Sequence, residues 1–145
     1  MIIAWEAGMD ARERTRQWLA WLVPRQRADG GFDRFCSQAG AWRACQRADA
    51  DDSSVATFLH LSALYVAAEK QKNRTQPMID GNAEPVVGLK AGTRRALGLL
   101  QSLRTPRGTY RALVDQPIEF LMDNTEVYAG LVGTGQTEQA QNLKL

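Results

Sequence analysis

The chain has 145 residues and a formal net charge of +2, from 18 basic and 16 acidic side chains. Its 44% hydrophobic and 23% charged content is that of one globular domain, and excludes collagen, coiled coil and wholesale disorder. The small positive excess is scattered rather than gathered into a stripe, so no nucleic-acid partner is expected.

The first ten residues, MIIAWEAGMD, contain no basic n-region and no small-residue cleavage site, so no signal peptide is read. The longest apolar stretch, Val55 to Ala68, is interrupted by Thr57, His60 and Ser62 and is shorter than a bilayer requires. No membrane partner is expected, and the chain is assigned to the cytoplasm. Cys36 and Cys45 are expected as free thiols on that ground, with a disulfide across the short loop as the alternative. A metal site lacks ligands, since His60 is the only histidine and no CxxC pair occurs.

In chain order, Asp10 is a plausible N-cap for a helix from Ala11 to about Val23, with Trp18, Leu19 and Leu22 on one face. Pro24 ends it. A long connection follows, in which Phe32–Cys36 and Trp42–Cys45 are spaced to pair as a ribbon. A second helix is predicted from Asp52 or Ser53 to about Lys72, apolar over so much of its circumference that it should be buried on more than one side. Asn73 to Pro85 reads as a loop. A third helix spans about Val86 to Leu103 and is stopped by Pro106 and Gly108. Thr109 to Val114 reads as a short strand before the Pro117 turn. A fourth helix runs from Asp123 through Leu131, and Thr137 to Leu145 reads as the first turns of a fifth.

Two halves thus repeat one pattern of helix, ribbon-bearing loop and helix, the arithmetic of α-hairpins around a ring. The expected fold class is all-α: hairpins of an incomplete α/α toroid with short β ribbons in the loops, forming one domain over 1–145.

Two segments carry the chemistry. One is Asp49-Ala50-Asp51-Asp52 and the other is Asp123-Asn124-Thr125-Glu126; each places carboxylates at a helix start. Parallel inner helices would open both clusters on one face. Helix starts also favour Asp for capping, and Asp123 to Glu126 has capping-box spacing. One cap needs one acid, however, and three acids in four residues repel one another. Crowding should raise the pKa of one of them, which suits a general acid. Asp51, Asp52, Asp123 and Glu126 are therefore the catalytic candidates. Asp49, Asn124 and the loop aromatics Trp42, Phe32 and Tyr110 are candidate substrate contacts, the rings being suited either to stacking on sugars or to packing. His60 reads as a core histidine. No phosphate loop or dinucleotide fingerprint is present, so no cofactor is expected.

The Asp-rich start of the second helix, the segment from Phe120 to Leu131 and Gly30-Gly31-Phe32 together resemble the six-hairpin glycosidase-like (α/α)6 toroids of bacteria. The resemblance covers most of residues 15 to 132, about a third of a ring of twelve helices. It implies hydrolysis or rearrangement of glycosidic bonds by Asp and Glu at inner-helix termini. A second resemblance is to terpenoid cyclases. Gln26-Arg27-Ala28-Asp29-Gly30-Gly31-Phe32 looks like their Gln-x-x-Asp-Gly-Gly-aromatic turns. Asp49 to Asp52 matches their Asp-x-Asp-Asp, which would make Asp51 the proton donor.

The leading functional expectation is a carbohydrate-active protein with a carbohydrate ligand. The alternatives are a non-catalytic helical module and a cyclase-like protein. Helices apolar on several faces in so short a chain would leave a large apolar patch in water, so a homo-oligomer is expected.

Overall fold

A computed structural model describes residues 1–75 and 86–143, with side chains omitted for 73–75. The helices are α1 (Ile2–Glu6), α2 (Arg12–Leu22), α3 (Asp51–Thr75), α4 (Leu89–Leu103), α5 (Leu121–Gly133) and α6 (Thr137–Gln141). A short 3-10 turn, Val23–Arg25, follows α2 with Pro24 inside it. The two strands are β1 (Asp33–Gln38) and β2 (Ala41–Arg47), paired antiparallel with an irregularity between Arg34 and Phe35. The predicted 73–85 loop falls mainly outside the described residues.

α3 is the central element, packing most extensively on α5 and also on α4, α2 and α1. Its buried residues Val55, Ala56, Phe58, Leu59, Leu61 and Tyr65 point to several sides, as its broad apolar surface requires. α4 is amphipathic in the strict sense. Leu89, Gly92, Ala96, Leu99, Leu100 and Leu103 recur every three or four positions and are its buried face. Among the described residues, no helix is long and apolar enough to cross a membrane.

The expected fold class is corrected. The described residues form six α-helices and one two-stranded antiparallel sheet, a small mixed α/β arrangement and not a toroid of α-hairpins. The reason lies in the connections and in the centre. β1 and β2 stand between α2 and α3 as a paired ribbon, with Phe35 packed against the main core. The α4–α5 connection is coil with isolated bridges, Arg104 to Tyr110 and Leu113 to Gln116, in place of the predicted strand. α3 packs on α5, α4, α2 and α1 and so stands at the centre of the helices rather than as one member of a ring.

Cys36 and Cys45 are joined in a disulfide, against the expectation of free thiols. Hairpin register supplies the reason: Cys36 pairs with Arg43 and Phe35 with Ala44, so the two sulfurs face each other across adjacent strands, with Cα atoms 5.8 Å apart. The two-residue turn is Ala39-Gly40, both at positive φ (48° and 79°), a primed turn whose twist suits a ribbon.

Local capping also differs from expectation. α2 begins after Ala11, and Asp10 instead accepts from the Arg12 N–H and pairs with its guanidinium. α5 begins at Leu121, two residues before Asp123, and no side chain caps it. The capping box is therefore absent. α1 escaped the sequence reading because five residues are too few to show a periodicity.

The turn between α2 and β1 is held by the motif at Gln26 to Phe32. Gly30 (φ 100°) presses on α4, where a Cβ would lie 2.2 Å from the Arg95 carbonyl oxygen. Gln26 Nε2 donates to the carbonyls of Gly30 (2.8 Å) and Gly92 (3.0 Å), and Phe32 packs on Phe58 at 5.0 Å between ring centres.

Candidate functional site

α3 and α5 approach closely because Gly130 has no side chain. A Cβ there would sit 2.8 Å from the Ala56 carbonyl oxygen. Their N-terminal turns consequently lie side by side, with Asp52 and Ser53 on α3 against Asp123 and Glu126 on α5. Ser53 Oγ donates to Glu126 Oε2 across 73 positions of sequence. Both acidic segments thus meet at one place.

Their members have different surroundings. Asp52 is fully buried, and its Oδ1 accepts the Ser53 N–H at 2.8 Å. Burial raises its pKa, the Ser53 N–H opposes, and the charges of Asp123 and Glu126 add to the rise, leaving the group at about 7. Oδ2 of Asp52 has no donor among the described residues. Two carboxylates only accept, so Oδ2 bonds to a neighbouring acid only when it carries a proton. Burial and then the Glu126 charge raise the Asp123 pKa, the neighbouring Asp52 opposes them, and the net shift is upward. The pair is a carboxylate dyad suited to sharing one proton.

Asp51, one residue earlier, is also buried but meets cations. Its Oδ1 accepts from Arg27 at 2.7 Å and its Oδ2 from Arg47 at 3.3 Å. Both oxygens of the residue that the cyclase resemblance makes the proton donor are therefore engaged. Arg27 also binds the Phe32 carbonyl (2.7 Å) and Asp29 (3.1 Å). Burial lowers the Arg27 pKa, but Asp51 and Asp29 outweigh it and the net shift is upward. Asp49 is exposed and pairs with Arg34.

Of the proposed substrate contacts, Phe32 and Tyr110 are core residues and Asn124 is buried, while Trp42 is 60% exposed on β2, away from the acids. Glu126 reaches a cleft of about 260 Å³ that Glu6, Thr57, His60 and Thr125 also line. Asp52 and Asp123 do not line it.

Sequence reasoning missed Arg27 as the partner of Asp51, although it lies within the quoted turn motif. It placed His60 in the core, where the structure sets it half-buried at the cleft. It also missed that Trp18 and Trp21 join Phe35 and Trp42 around a second, aromatic groove. No group of three or more His, Cys, Asp or Glu side chains among the described residues is arranged to hold a metal.

No family model, no curated protein and no solved structure matches this chain.

Proposed function

We propose that the chain is a carbohydrate-active protein whose α3–α5 cleft receives a single polyhydroxylated ring, with Glu126 as the carboxylate that contacts it. The observation that carries this reading is the Ser53–Glu126 bond, which orients Glu126 at a cleft shared with Glu6, Thr57, His60 and Thr125. Carboxylates, hydroxyls and an imidazole supply the donors and acceptors that sugar hydroxyls need. A volume of about 260 Å³ lies just below the usual ligand-pocket range and has room for no more than one ring.

Asp52 and Asp123 act behind this surface. A general acid must come within hydrogen-bond reach of the oxygen it protonates, and a fully buried Asp52 does not. Its proton sets the charge next to Glu126. Of the acids with access, Glu126 and Glu6 are the pair that glycoside hydrolysis would use. The burial of the dyad also favours a second reading, a module that binds a glycan without cleaving it.

A glycan array probed with the full chain tests the proposal. At least one glycan should be retained, and Glu126→Gln should weaken it about tenfold or more, the loss of one charged hydrogen bond. An empty array, or unchanged binding by Glu126→Gln, would overturn it. Release of reducing ends from the retained glycan separates hydrolysis from binding.

A further inference from the structure

We propose that the aromatic groove between α2 and the β1–β2 hairpin is a second ligand site, taking an apolar body that bears a carboxylate. Arg14, Gln17, Trp18 and Trp21 lie one to two turns apart on one face of α2, and Phe35 and Trp42 face them from the two strands. The groove is open to solvent and has a volume of about 770 Å³. Its walls are pre-set. Trp21 meets Phe35 edge-on, with centroids 4.8 Å apart and planes at 70°, and the Arg25 guanidinium lies 4.5 Å over the Trp21 ring. The Cys36–Cys45 bond ties the strand that carries Phe35 to the strand that carries Trp42. A surface held in place this way loses little freedom on binding.

Charge selects the occupant. Arg14 is the only charged side chain among the described residues lining the groove, and it is exposed and makes no side-chain hydrogen bond or ion pair with another described residue. The neighbouring Glu13 does not neutralise it, because its oxygens are taken by Arg16 (2.8 and 2.9 Å) and by Gln17 Nε2 (2.8 Å). An anion is repelled by the negative faces of the rings, so it belongs at the Arg14 rim while its apolar body lies on Trp18, Trp21 and Trp42. An alkyl or an aromatic carboxylate satisfies both requirements. None of these residues lines the α3–α5 cleft, so the site is independent of the function proposed above.

Isothermal titration of the full chain tests this with octanoate and 1-octanol for the alkyl case, and 1-naphthoate and 1-naphthalenemethanol for the aromatic case. At least one acid should bind at one site per chain, about tenfold or more tighter than its alcohol. Arg14→Gln should bring acid and alcohol together, and Trp42→Ala should weaken both. The acid that binds identifies the source. Absence of binding by both acids, equal affinity for acid and alcohol, or an acid preference that survives Arg14→Gln would overturn the proposal. A homodimer in sedimentation that Trp42→Ala dissociates would also overturn it, since the groove would then be a contact between copies of the chain.

Discussion

Asn124 clamps the backbone of Tyr110 from both sides. Its Oδ1 accepts the Tyr110 N–H at 2.7 Å and its Nδ2 donates to the Tyr110 carbonyl at 3.0 Å. Nδ2 also donates to the Phe120 carbonyl at 2.9 Å. One buried amide thereby ties α5 to the coil that enters it, where regular strand pairing is sparse. Asn124→Leu leaves the Tyr110 amide without its partner in the core. We expect a loss of about 2–4 kcal/mol, given roughly 1–3 for each buried polar group left unpaired. Urea denaturation should show a lower midpoint with an unchanged slope; an unchanged midpoint would contradict the clamp.

Asp52 should give the protein an unusual pH dependence. Its pKa rises from 3.8 to about 7 on folding, so between those values the folded chain holds a proton that the unfolded chain has released. Its contribution is full below about pH 4, falls as pH rises through 7, and is then level. Asp52→Asn keeps an acceptor for Ser53 and supplies a permanent donor towards Asp123. It should be more stable than the wild type at pH 8, by on the order of a few kcal/mol, and by much less at pH 4. Lowered acids elsewhere, Asp10 and Glu13 among them, act in the opposite sense in both proteins and cancel from the difference. Thermal melts of the pair at several pH values check this, and a pH-independent gap would refute it.

Gly130 and Gly98 should respond oppositely to the same methyl group. Gly130→Ala places a Cβ 2.8 Å from the Ala56 carbonyl and 3.1 Å from its Cα, so α3 and α5 must part. A loss of about 1–3 kcal/mol is expected, typical of overpacking. Gly98 lies inside α4 with nothing within 4 Å of an added Cβ, so Gly98→Ala should gain about 0.5–1 kcal/mol from helix propensity. Denaturant midpoints shifting in the same direction would count against the close approach.

Reduction should leave the helical core folded. The disulfide closes only nine positions, and the buried cluster around Leu19, Phe58, Leu100 and Val127 lies outside that loop. The chain-entropy model puts such a loop at about 2–3 kcal/mol at most. Circular dichroism with and without reductant should show the same helical signal at 25 °C and a lower melting temperature. Loss of the helical signal on reduction would show that the core depends on the hairpin.

The four main helices were legible because apolar residues recur at helical spacing and because Pro24, Pro106 and Gly108 interrupt the pattern. The ribbon was legible from its two short aromatic and cysteine-bearing runs. The convergence of two acidic segments was inferred from parallel inner helices, and the two do meet at Ser53 and Glu126, although the toroid used to infer it is absent. The aromatic groove was not legible, since Trp18 and Trp21 fit equally well as core residues until β1 and β2 are laid beside α2.

Composition, the approximate positions of the four main helices and the presence of acids at helix starts belong to the sequence alone, because they rest on local spacing and on residue chemistry. The roles of the acids do not. Asp51 and Asp52 are adjacent and chemically identical, but one step along a helix turns a side chain by about 100°. That turn points Asp51 at two guanidinium groups and Asp52 at two further carboxylates. Only the packing of α3 against α5 and against the turn at Gln26 to Phe32 determines which partner each one meets, and so the raised pKa of Asp52.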